Sequence, residues 1–304
     1  MFDKGNKFIC IGAVHTDYIL QLKTKHINNR TNPIKQTQCL GGVAYNIAEK
    51  LSFLNLKTEL ISLNCQKNNI EKISKNKITF KALNLEIYDR SYTSVLNTKG
   101  EMILGLANMD NYERPLAIKN IINNKNNRII LDLNFSLKSI KSLVSKYSSL
   151  NTICVCGTSV YKVYKIKKLL HKINILILNK QESLNLSNKK NIKDALKFII
   201  TKNKNLTVVI TNGKNYVKAY HNKNIYSCKP LKTNIKNENK AGDVMSAFFY
   251  YYFFQKLNFA SVLSKSIAAG SLHVSGFIST KINYLKMIDE LSEKIKVRIK
   301  KSVR

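Results

Sequence analysis

The stretch Asn239-Lys240-Ala241-Gly242-Asp243 runs into the apolar Val244-Met245-Ser246-Ala247-Phe248. It places a small-residue turn and a carboxylate at the mouth of a helix. Phosphate chemistry has a use for that arrangement. The first N–H groups of a helix lack intrahelical acceptors, and the helix dipole adds partial positive charge there. A phosphate fits at such an end. Asp243 can take a proton from a hydroxyl as that hydroxyl attacks the phosphate. It can equally be a cap of its own helix. The local sequence leaves both roles open.

Three further groups point the same way without settling it. Gly41-Gly42-Val43-Ala44-Tyr45-Asn46 opens a second helix. Paired glycines let backbone approach a ligand closely, and the Asn46 amide can donate to or accept from a ribose hydroxyl. Such a turn before a helix is also common on its own. Asp17 follows the first strand, where a carboxylate can accept from vicinal hydroxyls or simply end a turn. Asn179-Lys180-Gln181-Glu182 follows an apolar strand. It can hold magnesium-bound water near phosphates or form a helix capping pattern. His15, His26, His171, His221 and His273 have no metal-ligand spacing, and no Walker loop or zinc signature occurs.

The elements that would position these residues follow from periodicity. Strands are expected at Phe8–Gly12, Thr58–Leu63, Ile129–Leu133, Thr152–Cys156, Ile175–Leu178 and Leu206–Thr211. Helices are expected at Tyr45–Leu54, Leu116–Ile122, Ser159–His171, Ile192–Thr201, Asp243–Gln255 and Phe259–Phe277. The β-then-α order predicts an α/β domain with a largely parallel sheet covered by helices. Ligands bind such sheets beyond the strands' carboxyl ends. Two segments, about 15–40 and 85–110, break the rhythm. Tyr92–Leu96 and Glu101–Leu104, joined through Gly100, read as a hairpin. We expect these segments to form a small β-sheet lid inserted in one domain spanning 1–304. Asn123–Arg128 and Ser187–Lys193 read as loops.

Bulk composition sets outer limits. The chain has 304 residues, 44% of them hydrophobic, enough for a substantial core. No apolar run is long enough to span a membrane, and Phe8–Gly12 is too short for a signal peptide. The six cysteines are irregularly spaced. Cys154 and Cys156 would share a strand face, and reduced core thiols in a cytoplasmic protein are the expectation. The formal net charge is +33, with Lys, Asn and Ile spread along the whole chain. Those are residues that A/T-rich codons specify, so coding bias accounts for much of the charge. Nonspecific attraction of polyanions is the other consequence. The dense run Lys294–Arg304 is expected to be a solvated helix end.

Taken together and in order, these pieces resemble the ribokinase-like (PfkB) carbohydrate kinase family over roughly residues 8 to 280. Gly41-Gly42 with Asn46 and Ala48 matches the first family signature. Lys240-Ala241-Gly242-Asp243 matches the second, which usually reads Gly-Ala-Gly-Asp. Asn179 to Glu182 matches the Asn-x-x-Glu magnesium motif, and Thr211-Asn212-Gly213 is similar to the end of the nucleotide strand. Within the family, Ser91–Leu96, Gly100-Glu101-Met102 and Asn108-Met109-Asp110 look like the lid of pseudouridine kinases. Pro230-Leu231-Lys232-Thr233-Asn234 looks like theirs too.

The resemblance implies phosphorylation of a nucleoside 5′-hydroxyl, pseudouridine giving pseudouridine 5′-phosphate, with ATP and Mg2+ and, in relatives, a monovalent cation. It implies Asp243 as base, with Lys240, Ala241 and Gly242 as the anion hole. Asp17, Gly41, Gly42, Asn46, Tyr92 and Met109 would bind substrate. Asn179, Thr211 and Gly213 would bind nucleotide, and Glu182 would serve the metal. The alternatives are a kinase of ribose, another nucleoside or a phosphosugar, the last using Arg90 or Lys35, and a non-catalytic nucleoside- or RNA-binding descendant. An exposed lid edge would favour a homodimer.

Two positions depart from the pattern. Tyr216 stands where the family usually has glycine. Lys240 replaces the first glycine of the anion hole. There it would either strain the turn or lend its ammonium to the transferring phosphate. We expect strain to dominate, so that glycine at 240 raises turnover and methionine does not.

Overall fold

The computed structural model describes residues 7–116, 120–236 and 238–301. The chain begins with β1 (Phe8–Ile11), β2 (His15–Leu22) and β3 (Ile34–Gly41), then α1 (Val43–Phe53), β4 (Thr58–Ser62), α2 (Lys67–Lys75) and β5 (Thr79–Ala82). Next come β6 (Ser91–Leu96), β7 (Met102–Asn108), β8 (Arg128–Leu131), α3 (Leu137–Tyr147) and β9 (Thr152–Cys156). They are followed by β10 (Ile175–Asn179), α4 (Lys180–Ser187), α5 (Ile192–Lys202), β11 (Thr207–Thr211), β12 (Val217–His221) and β13 (Asn224–Cys228). The chain closes with α6 (Ala241–Phe254), α7 (Phe259–Val274), α8 (Lys281–Ser292) and β14 (Arg298–Lys301).

The main sheet has ten strands in the order β14-β13-β12-β11-β10-β9-β8-β1-β4-β5. From β11 to β5 every pairing is parallel, and β12, β13 and β14 extend the other edge antiparallel. Parallel strands buried on both faces read as continuous apolar runs, which is how Phe-Ile-Cys-Ile and Ile-Leu-Ile-Leu read here. Alternation still divides them. Phe8, Cys10, Cys154, Cys156, Ile175 and Ile177 face a cluster with α1, α6, α7 and α8. Ile9, Ile11, Ile153, Val155, Leu176 and Leu178 face α3, α4 and α5 on the other side. Helix α6 carries Phe and Tyr over most of its surface because it is covered nearly all round.

A separate four-stranded sheet, ordered β3-β2-β6-β7, stands apart from the main one. Its strands fall in the two segments that break the β/α rhythm. Strands β2 and β6 pair parallel, while β2 with β3 and β6 with β7 pair antiparallel.

Three expectations fail locally. Ser159–His171 forms no α-helix but two short 3₁₀ turns, Val163–Ile166 and Leu170–Lys172. Val160, Val163 and Ile166 are β-branched and crowd a regular turn. Of the expected helix Leu116–Ile122, residues 117–119 lie outside the described part, and the flanking residues are not helical. The basic C-terminal run is not a helix end. Helix α8 stops at Ser292, and Arg298–Lys301 adds an exposed edge strand to β13. Val297 and Ile299 favour that extended form, and lysines suit an edge that must not pair further.

Candidate functional site

The predicted residues converge beyond the carboxyl ends of the central parallel strands. Lys240 is the N-cap of α6, with φ 65° and ψ 1°, a left-handed conformation. Ala241, Gly242 and Asp243 form the first turn. That geometry leaves the N–H groups of Gly242 and Asp243 without intrahelical acceptors. A Cβ built on Gly242 would meet nothing within 4 Å, so the turn opens onto free space. His273 in α7 donates through Nε2 to the Asn239 carbonyl at 2.6 Å and fixes the approach to the turn.

Asp243 and Asn46 meet across the helix pair. Asn46 Nδ2 donates to Asp243 Oδ2 at 2.7 Å. Burial pushes the Asp243 carboxyl up to about 7, against the Asn46 hydrogen bond and the positive charge of Lys240, which pull it down. Part of Asp243 reaches solvent, but at the carboxylate itself crowding by protein dominates. A carboxylate tuned near neutrality is what proton transfer at physiological pH requires.

The paired glycines serve the protein's own residues. Gly42 has φ 114°, and a Cβ there would lie 2.0 Å from the Ala13 carbonyl oxygen. A Cβ on Gly41 would lie 2.2 Å from Asp17 Oδ2. The turn therefore lets β3 and α1 press against the end of β1 and against Asp17. Asp17 in β2 is buried, and His15 Nδ1 lies 3.0 Å from its Oδ1 without the alignment of a hydrogen bond. Asp17 Oδ1 and Asn46 Oδ1 are both buried acceptors with no hydrogen-bond partner. Such atoms are rare unless a ligand or water completes them.

Lys240 does not send its ammonium toward the mouth of α6. Nζ donates to the Leu40 carbonyl at 2.7 Å, and lies 3.4 Å from Cys39 Sγ and 3.6 Å from Asp17 Oδ2.

The remaining predicted residues are placed as follows. Tyr92 pairs in register with Asp17 and donates to Met102 Sδ at 3.3 Å; burial and the Asp17 charge raise its phenol pKa. Met109 is buried in the cluster on the α3, α4 and α5 face of the main sheet. Asn179 and Glu182 form a reciprocal capping box on α4. Asn179 Oδ1 accepts the Glu182 N–H at 2.9 Å, and Glu182 Oε2 accepts the Asn179 N–H at 2.8 Å. Glu182 is buried, which raises its pKa, and Gly157 makes room for it. Thr211 ends β11, and Gly213 follows with φ 53°. Tyr216 is exposed beside Lys218 and Lys229. Arg90 is buried over the Tyr112 ring and donates to the Asn64 carbonyl, whereas Lys35 is exposed on β3.

Sequence reasoning missed Asp132. Its buried carboxylate follows β8 and accepts from the N–H groups of Ala13 at 2.8 Å, Ala44 at 3.3 Å and Asn134 at 2.9 Å. It ties the end of β1 to the start of α1 and so holds the glycine turn. A lone carboxylate ending an apolar strand, Ile129-Ile130-Leu131-Asp132, was the available signal. Tyr112 was missed too; its hydroxyl takes the Val14 N–H at 2.8 Å and lies 2.9 Å from Ser62 Oγ.

Residues 138–280 match the model of the pfkB family carbohydrate kinases. A pseudouridine-metabolizing bifunctional protein of Schizosaccharomyces pombe is 28% identical over 183 residues, 57% of this chain and 24% of that protein. The chain thus spans about a quarter of that relative's length. Among solved structures, a carbohydrate kinase from Agrobacterium tumefaciens superposes with a TM-score of 0.79 at 21% identity, covering 97% of this chain and all of that one. Phosphofructokinase-2 from Escherichia coli, in complex with substrates and products, gives a TM-score of 0.75 at 13% identity over 94% of this chain and 99% of its own. Ribokinase from Cryptococcus neoformans var. grubii, in complex with ADP, gives 0.73 at 14% identity over 95% of this chain and 100% of its own. The fold is ribokinase-like, a large mostly parallel sheet with helices plus a separate small sheet.

Proposed function

We propose that this ribokinase-like chain is an ATP-dependent kinase of a nucleoside 5′-hydroxyl, converting pseudouridine to pseudouridine 5′-phosphate. One observation carries the reading. A near-neutral carboxylate at a helix N-terminus, Asp243, is hydrogen-bonded to Asn46, and Asn46 Oδ1 and Asp17 Oδ1 are buried acceptors left open. A polyol supplies the donors those acceptors lack.

The chemistry follows from the placement. The sugar's vicinal hydroxyls donate to Asp17 and Asn46, which turns the 5′-hydroxyl toward Asp243. Asp243 takes the hydroxyl proton as its oxygen bonds to the γ-phosphorus, and the bond from that phosphorus to the β-phosphate oxygen breaks, releasing ADP. The α6 N-terminus stabilises charge on the transferring group. Thr211, Gly213 and Asn179 line the nucleotide side. Glu182 fits a magnesium role through water, since one carboxylate oxygen is committed to the capping box and one remains. Magnesium, when bound with ATP, neutralises phosphate charge. No cluster of three metal-ligating side chains occurs among the described residues.

The pseudouridine-metabolizing relative from Schizosaccharomyces pombe supports pseudouridine as substrate. A phosphosugar is less well supported, because Arg90 lies buried over the Tyr112 ring with one N–H on the Asn64 carbonyl, and Lys35 is exposed on β3. The same reading includes a cytoplasmic setting and a homodimer through the second sheet, here a lid. No helix among the described residues is long and apolar enough to cross a membrane. A panel of nucleosides and sugars, each assayed with ATP and Mg2+, tests the reading. Pseudouridine should be the best acceptor. Transfer to ribose or fructose 6-phosphate but not to pseudouridine would overturn the substrate assignment.

A further inference from the structure

Lys240 has a feature that neither fold nor catalysis accounts for. It holds a left-handed backbone conformation that costs a lysine on the order of 1 kcal/mol. From there its side chain reaches away from the anion hole and into the sugar side of the cleft. The ammonium has three protons, and one is taken by the Leu40 carbonyl. Cys39 Sγ is at best a weak acceptor for the second. Asp17 Oδ2, at 3.6 Å, is inside Coulomb contact but beyond a hydrogen bond. An acidic acceptor and a cationic donor therefore face each other without closing. The side chain of Asp17 is 6% exposed and that of Lys240 20%, so little water competes there.

A hydroxyl satisfies both partners at once. Its proton goes to the carboxylate, and its lone pair accepts from the ammonium. We propose that Lys240 is a substrate-recognition residue that grips, together with Asp17, one hydroxyl of the sugar's vicinal diol. The proposal rests on the reading of the cleft as a polyol site. It assigns to position 240 a role that glycine cannot fill. The two charges also sum to zero, which suits a neutral polyol over a phosphorylated one.

The experiment compares the parent with Lys240→Met, using uridine, 2′-deoxyuridine, 3′-deoxyuridine and pseudouridine. Lys240→Met keeps the stem and removes the donor. Ligand-induced shift of the melting temperature is read without ATP, and kcat and KM are read with it. The expected result is a loss of about tenfold or more in affinity for the ribonucleosides, appearing in KM. One of the two deoxynucleosides, the one lacking the gripped hydroxyl, should lose almost nothing. An equal loss for all four ligands would overturn the proposal and make Lys240 a structural or phosphate-side residue. A gain for the ribonucleosides would overturn it too, marking the ammonium as an obstruction. If the parent binds ribonucleosides yet transfers no phosphoryl group, the kinase reading fails, and the binding comparison still decides the role of Lys240. If no polyol shifts the parent, both fail.

Discussion

At the scale of single residues, Asp243 and Lys240 carry the sharpest expectations. Asp243 accepts a proton only when ionised, so turnover should fall as pH drops through about 7, the value to which burial raises it. Asp243→Asn keeps the size and the Asn46 contact but removes the base. Turnover should fall by about a hundredfold or more, and retention of most of it would refute the role. The same shift has a consequence for stability. A folded pKa above the unfolded value means that folding takes up a proton between the two. The group's contribution is full below the ordinary carboxylate range and is lost as pH rises through about 7. Asp243→Asn should therefore melt higher than the parent at pH 8 and show no such gain at pH 4. At position 240, glycine and methionine both remove the ammonium, but only glycine relieves the left-handed backbone. Lys240→Gly should be more stable than Lys240→Met by about 1 kcal/mol in denaturant unfolding. Equal midpoints would show that the turn relaxes around any side chain.

At the scale of elements, the glycine turn between β3 and α1 joins fold to site. Gly42→Ala puts a Cβ 2.0 Å from the Ala13 oxygen at a φ of 114°. It should cost about 2 kcal/mol or more, and should weaken polyol binding through Asn46 one turn on. Unchanged unfolding would mean that β1 shifts freely. Most of the central strands were legible because parallel strands covered on both faces leave unbroken apolar runs. Helices α1, α5, α6 and α7 were legible from their caps or apolar stretches. Helices α2 and α8 were not, since Lys67–Lys75 buries only Ile73 and most of α8 faces solvent. Strands β12 to β14 are only four or five residues long, and β14 is wholly exposed, so their sequences offer too short a pattern to separate them from loops. In the site, Asp243, Asn46 and Glu182 stood out because turn and cap chemistry fix their spacing. Asp132 did not, because its partners Ala13 and Ala44 lie far away in sequence and offer only backbone. The direction of the Lys240 side chain was equally illegible; it depends on where β3 passes.

At the scale of the whole molecule, the second sheet leaves one strand uncovered. Leu104 and Leu106 share one face of β7 and are 50% and 52% exposed. Paired with a second copy, that face would be buried. Leu104→Glu with Leu106→Glu should convert a dimer to a monomer by light scattering at 0.3 M salt, where charge effects are screened. A parent that is already monomeric would remove the homodimer from the reading. The connectivity of this sheet bears also on how the chain reaches its final state. Its central pairing, β2 beside β6, is parallel and non-local: β3, α1, β4, α2 and β5 all intervene. Such a pairing cannot zip up as a hairpin does; the ends must wait until the intervening body has collapsed and brought them side by side. The order of events is thereby written into the chain path. The expected order is that the body around β1, β4 and β8 condenses first and the β2–β6 pairing forms last, so amides of β2 and β6 should gain exchange protection later than those of β1 and β8 in pulse-labelled refolding.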